Sequence, residues 1–179
     1  MKKLLLFTFV LYGFLLQSQT LNAGLRIQKT NEMYWENGIS VQYSFKDFKP
    51  QRFYLGFDFV TSRLGTAYNS NAIKQNSYIA SASWHGKEWG VLPGMRFVTR
   101  LNIGYLVADM EEEFFNEIPN TAFLFSPEIG FAYNFKKLPI GLYLGSGYYI
   151  NFAPEGESPG TFQPLYYHLD IYYRIFKNQ

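Results

Sequence analysis

Three groups of residues have types and spacing that could do chemistry. Ser81, Ser83 and His85 stand at alternate positions, as do His168 and Asp170. A serine near a histidine suggests a nucleophile and its base, and a histidine near an aspartate suggests an oriented base. Residues two apart on one strand share a face but sit roughly 7 Å apart along the backbone, which argues against a working pair. The third group is Asp109, Glu111, Glu112 and Glu113, with Glu117 close by. Carboxylate oxygens suit calcium and magnesium, so this run is a candidate cation site. It lacks the spaced Asp, Asn and Gly of a dedicated calcium loop, and the expectation is a solvated acidic loop. The absence of cysteine excludes disulfides, thiolate metal sites and a lipid anchor on Cys. The expectation is therefore a chain without catalytic residues or cofactor.

The elements that must carry these residues are strands. From about Leu21 to Phe176 the chain alternates apolar and polar residues. Phe123, Phe125, Ile129, Phe131, Tyr133 and Phe135 share one parity, and Ser126, Glu128, Gly130 and Asn134 share the other. Side chains on a strand alternate between faces, so each such segment is an amphipathic strand. Eight are expected: Leu21–Thr30, Gly38–Asp47, Arg52–Leu64, Ser77–Gly86, Met95–Asp109, Phe123–Phe135, Pro139–Phe152 and Pro164–Phe176. Short connections (Phe48–Gln51, Lys136–Leu138) alternate with longer ones (Asn31–Asn37, Gly65–Asn76, Met110–Ala122, Ala153–Gln163). Lys87–Gly94 is long for its place in that series. The fold class expected is all-β, an eight-stranded antiparallel up-and-down transmembrane β-barrel.

Alternation alone fits both a membrane barrel and a soluble, ligand-holding barrel. The polar parity separates them. It carries Arg26, Asp58, His85, Arg96, Arg100, Glu128, His168, Asp170 and Arg174 among small residues and amides, with no mid-strand lysine. A water-facing sheet would carry more Lys and Glu. Balanced Arg and carboxylates suit a crowded interior in which charges pair. The other parity is almost uncharged, and such a band would drive aggregation in water but suits lipid. Pro127 falls mid-strand on the lipid-facing parity. A closed barrel has no free edge for it, so a bulge or kink is expected there. About eight strands leave an interior just wide enough for side chains to fill.

At the start, Lys2 and Lys3 precede an apolar run from Leu4 to Leu16, followed by Ser18. The run is short of the roughly 20 residues of a spanning helix. It has the form of a cleaved signal peptide over residues 1–18, leaving a barrel domain over residues 19–179. The net charge is +2. Lys2 and Lys3 account for it, so no basic field remains to attract nucleic acid. One residue in five is aromatic, as expected of strands that meet lipid headgroups. Charge divides between the two sets of connections. Glu32, Glu36, Asp109, Glu111, Glu112, Glu113, Glu117, Glu155 and Glu157 oppose only Lys74 on the side expected to face outward. Lys46, Lys49, Arg52, Lys87, Lys136, Lys137 and Lys177 dominate Asp47 and Glu88 on the side expected to face the periplasm.

The export signal ending Leu-Gln-Ser-Gln resembles a known group, as do the segments Pro-Glu-Ile-Gly-Phe-Ala-Tyr-Asn-Phe at 127–135 and Gly-Leu-Tyr-Leu-Gly-Ser-Gly-Tyr-Tyr at 141–149. The closing Tyr-Tyr-Arg-Ile-Phe at 172–176 belongs with them. The group is the small eight-stranded outer-membrane barrels of the OmpA/OmpX type, in the style of the Bacteroidota outer membrane protein beta-barrel family. The resemblance implies a monomer in the outer membrane of a Gram-negative bacterium, in contact with outer-membrane lipid and lipopolysaccharide. It implies insertion by the barrel-assembly machinery through a last-strand signal, here Tyr173, Ile175 and Phe176, with three residues after Phe176. The role implied is structural, or interaction with an extracellular protein or surface ligand through the acidic loops. Some such barrels act on lipid A, but their His-x-Ser-Asn motif is matched at neither His85 nor His168. Lipid A modification, a narrow channel and a soluble lipid-binding barrel stand as alternatives.

Overall fold

Strands that alternate apolar and polar residues over ten or more positions can bury one face only against something. The computed structural model, which describes residues 18–30, 34–45, 52–62, 73–110, 121–152 and 165–177, shows them closing on themselves. The strands are β1 (Ser18–Thr30), β2 (Tyr34–Phe45), β3 (Arg52–Thr61), β4 (Ile73–Glu88), β5 (Met95–Met110), β6 (Thr121–Asn134), β7 (Ile140–Tyr148), β8 (Ile150–Phe152) and β9 (Leu165–Lys177). β7 and β8 are two parts of one traverse, so the chain crosses the barrel eight times. Every pairing is antiparallel and joins sequence neighbours, from β1–β2 round to β7–β9. β1 and β9 close the ring, with Gly24 opposite Tyr172 and Arg26 opposite Asp170. The fold is an all-β, eight-stranded, up-and-down closed barrel. Closure pairs each traverse on both sides over most of its length, although among the described residues the short β8 pairs with β6 alone.

The expected parity holds along the described strands. On β6, Ala122, Leu124, Ser126, Glu128, Gly130 and Ala132 are buried, while Phe123, Pro127, Ile129, Phe131 and Tyr133 are exposed. One barrel end joins β2–β3, β4–β5 and β6–β7, and is called here the turn end. The opposite end, the loop end, joins the remaining pairs. Three features depart from expectation. First, β2 begins at Tyr34 and β4 at Ile73, ahead of the expected Gly38 and Ser77. Glu36, expected in the first loop, is a buried strand residue, because the alternation runs back through Trp35 and Glu36.

Second, the Lys87–Gly94 segment is partly strand. β4 continues to Glu88 through a register shift between His85 and Glu88, and only residues 89–94 turn. Gly94 adopts φ 99°, and Asn134 N donates to its carbonyl at 2.9 Å. Third, Pro127 produces neither bulge nor slip. Leu101↔Pro127 is a regular pair of the β5–β6 ladder. On the other side the ladder stops at Glu128↔Gly147 and resumes in the same register at Phe125↔Ile150. With no N–H to donate, proline interrupts pairing with β7–β8 and leaves register untouched. The register shifts lie instead near the turn end, at Ser18/Thr20, Leu21/Asn22 and His85/Glu88, where barrel rims commonly carry bulges.

A Cβ on Gly94 would press on the Asn134 carbonyl oxygen, on a backbone that L residues avoid. Gly94→Ala should lower unfolding stability by about 1–3 kcal/mol, the usual cost of such a conformation. Urea titration followed by tryptophan fluorescence would read it; an unchanged midpoint would mean that the turn relaxes freely.

Candidate functional site

The inward face of the barrel gathers six ionisable side chains into one buried cluster. Arg26 (β1), Asp58 (β3), Arg100 (β5), Glu128 (β6), and His168 and Asp170 (β9) are each at most 3 % exposed. All lie on inward parity near mid-height, so closing the ring brings six positions from five strands together. Arg26 Nη1 donates to Asp58 Oδ2 at 3.0 Å, and Arg100 Nη2 donates to the same oxygen at 2.5 Å. Arg26 also stands 3.7 Å from Glu128 and 4.0 Å from Asp170, and Arg100 stands 3.7 Å from Asp170.

His168 bridges the remaining carboxylates. Its Nδ1 lies 3.0 Å from Asp170 Oδ1, and its Nε2 makes a 2.9 Å ion-pair contact with Glu128 Oε1 that lacks hydrogen-bond geometry. A neutral imidazole would set a lone pair against one of these anions, whereas an imidazolium suits both. In that state Arg26, Arg100 and His168 balance Asp58, Glu128 and Asp170. Glu128 is held by further hydrogen bonds. It accepts from Tyr143 OH at 2.6 Å, Tyr166 OH at 2.9 Å and Asn102 Nδ2 at 3.0 Å.

Several contributors are missing from the sequence reading. Tyr143 and Tyr166 place hydroxyls in the cluster, and Tyr149 stacks on Tyr166 with centroids 4.2 Å apart. Gln28 accepts from Arg26 at 2.9 Å and donates to Glu36 at 2.6 Å and to Tyr149 OH at 2.7 Å. Gln75 donates to the other Glu36 oxygen at 2.8 Å. The network therefore extends toward the loop end through amides. The glycines of β7 share the inward polar parity, but their role is not legible from parity alone. Gly141, Gly145 and Gly147 pair with Tyr172, His168 and Tyr166, and a Cβ on any of them would strike the partner's ring. Repeated glycine on one parity, opposite repeated rings, is the signal that could have found this.

The other expected interior residues lie apart from the cluster. Arg96 is half-buried and pairs with Glu88 at 2.9 Å. Arg174 Nη2 donates to the carbonyls of Phe135 at 2.6 Å and Leu138 at 2.5 Å. Both line a cavity of about 120 Å³ at the turn end. Their inward parity is as expected, but their height on the strands keeps them from the cluster. His85 packs against Tyr54, ring centroids 4.3 Å apart. Its Nε2 lies 3.4 Å from Ser83 Oγ, so side chains close much of the backbone separation that argued against contact. The candidate cation residues Glu111, Glu112 and Glu113 lie outside the described residues. So do the side chains of Asp109 and Phe176, although Asp109 and Phe176 pair by backbone with Lys74 and Leu21. Tyr173 and Ile175 point outward.

The outward wall is the second surface of interest. Its middle is mostly aliphatic and uncharged, including Leu25, Ile27, Ile39, Val41, Leu55, Leu101, Ile103, Ile129, Leu144 and Ile171, all exposed. Aromatic residues flank this band. Trp35, the ring pairs Phe59–Tyr78 and Tyr105–Phe123, Phe152 and Tyr167 stand toward the loop end. Trp84, the Trp89–Phe131–Phe97 cluster, Tyr133–Phe135 and Tyr173 stand toward the turn end. No protein-family model matches the chain, and no curated protein matches it.

Removing Glu128 would leave Arg26 and His168 under-compensated in a space closed to water. Glu128→Leu should destabilise the folded barrel by about 3–5 kcal/mol, the cost of breaking a buried ion pair from one side. Guanidinium unfolding in detergent would measure it, and an unaffected transition would mean that water reaches the cluster. Gly145→Ala tests ring clearance. It should shift the His168 ring resonances in NMR spectra and leave those of His85 in place.

Proposed function

We propose that this chain is an exported outer-membrane β-barrel protein of the OmpA/OmpX-like kind, with a structural or surface-interaction role rather than a catalytic one. The observation that carries this reading is the outward wall: a charge-free aliphatic band with aromatic residues at both margins, on a barrel whose mid-height charges are turned inward. Water would penalise that wall along its whole circumference. A bilayer fits each part of it, aliphatic side chains against acyl tails and Trp and Tyr at headgroup level. Closure satisfies the strand backbone groups internally, as lipid requires.

The interior supports the same reading against its rivals. A soluble lipid-binding barrel would keep an apolar space inside, whereas here mid-height is occupied by paired charges and tyrosines. The same side chains obstruct a channel. Lipid A modification would need reactive groups facing lipid, and both histidines face inward. Residues 1–18 then act as the export signal and residues 19–179 form the barrel, with Ser18, already paired with Phe45 at the start of β1, marking the boundary. Tyr173, Ile175 and Phe176 serve recognition by the assembly machinery. The acidic segments between strands at the loop end face the cell exterior, where they meet a protein or surface ligand; the host is a Gram-negative bacterium of the Bacteroidota type.

The test is folding into lipid. Wild-type protein should require detergent or vesicles for solubility and should migrate differently in a denaturing gel before and after boiling. Ile103→Arg and Leu144→Arg should each cost about 2–4 kcal/mol of folding stability in vesicles, as for a cation at the midplane of a membrane barrel. Recovery of the wild type as a detergent-free monomer, with identical mobility boiled and unboiled, would overturn the reading.

A further inference from the structure

The turn end carries an exposed patch that the barrel itself does not use. Between β4 and β5, Val91 is 91 % exposed and Leu92 50 %. At the same end Leu138, in the β6–β7 connection, is 53 % exposed. These residues sit on a fixed platform. Trp89 N donates to Met95 O at 3.0 Å, Leu92 N to Trp89 O at 3.2 Å and Met95 N to Leu92 O at 3.0 Å. The bond from Asn134 N to Gly94 O ties this turn to β6, and Arg174 braces the neighbouring connection through its carbonyls. Apolar side chains held out on a braced turn gain nothing from solvent.

The charges around the patch indicate what covers it. Lys87, Lys136 and Lys137 are exposed at its margin. The carboxylate among the described residues here, Glu88, is occupied by Arg96. Trp89 leaves the patch along the outer wall and packs edge-on against Phe131, within the aromatic band of this end. Apolar tip, tryptophan and a fringe of lysines together match a headgroup region, in which Trp89 and the apolar tip contact lipid and the ammonium groups reach phosphates.

We infer that the β4–β5 turn, with Lys136, Lys137 and Leu138, is an interfacial anchor that binds an anionic lipid surface. The inference rests on the proposed membrane reading and deepens it. It makes the turn end a lipid-selecting surface and gives a reason for the unusual length of this turn.

The experiment compares lipid binding to the barrel folded in zwitterionic detergent, by native mass spectrometry, with phosphatidylglycerol and phosphatidylcholine as probes. Phosphatidylglycerol should bind preferentially. Each of Lys87→Gln, Lys136→Gln and Lys137→Gln should weaken it about fivefold, the worth of one basic residue near an anionic leaflet. Val91→Ser combined with Leu92→Ser should reduce binding of both lipids, with the heat-dependent gel shift retained as proof of folding. Equal binding of the two lipids, or undiminished phosphatidylglycerol binding by the triple lysine variant, would overturn the anchor and leave the membrane reading standing. Failure of the wild type to fold in detergent would overturn the membrane reading and the anchor with it.

Discussion

A charge withdrawn from water must find its opposite within hydrogen-bond reach, and the inside of this barrel is organised around that requirement. Asp58 takes a bond from each of two guanidinium groups, from β1 and β5. Glu128 is approached by His168 and Arg26 and bonded by two tyrosines and an amide. These partners come from strands distant in sequence, so the cluster exists only when the ring is closed in one register. A slip of one residue in any contributing strand would turn its charge outward onto the apolar wall. The ion cluster thus ties strand register to charge pairing, whatever its net worth in stability.

Space for the cluster comes from a second complementarity. The inward face of β7 is glycine at three alternating positions except where Tyr143 intervenes, and the facing strand β9 supplies Tyr166, His168 and Tyr172. Large rings on one strand occupy the volume that missing side chains leave on the next, which lets eight strands enclose a filled interior. Tyr149 continues this packing across the point where β7 gives way to β8, stacked on Tyr166 and bonded by Gln28. Leu124 of β6 packs in one apolar cluster with Tyr149 and Tyr166, so side chains bridge the ladder gap opposite Pro127 from inside.

Inside and outside answer to one period. Because side chains alternate, every inward ion assigns its two neighbours to the wall, and the wall acquires its uncharged middle as a consequence. On the proposed membrane reading, this coupling explains why the protein concentrates polarity in its side-chain-filled interior. Arg96, Glu88 and Arg174 mark where the rule relaxes. Near the turn end they bond partly to one another and to backbone carbonyls, in step with the register shift at His85/Glu88 and the turn that follows.

The sequence by itself determined the class of fold, the approximate strands and the face of nearly every residue, because a period of two is a local property written in side-chain polarity. It also determined that the inward charges could balance, since Arg and carboxylates occur in comparable number on that parity. It did not determine who pairs with whom. Arg26 meets Asp58 and Arg100 meets the same oxygen only through ring closure and strand stagger, which no local pattern encodes. The fate of Glu36 was hidden because a polar strand end and a polar loop have the same composition. The effect of Pro127 depended on which neighbour its missing N–H would have served. Ser83 and His85 came into contact through side-chain rotamers, which backbone spacing does not specify. Parity is fixed one residue at a time; height around the ring, and hence every contact in the cluster, is fixed only when the last strand meets the first.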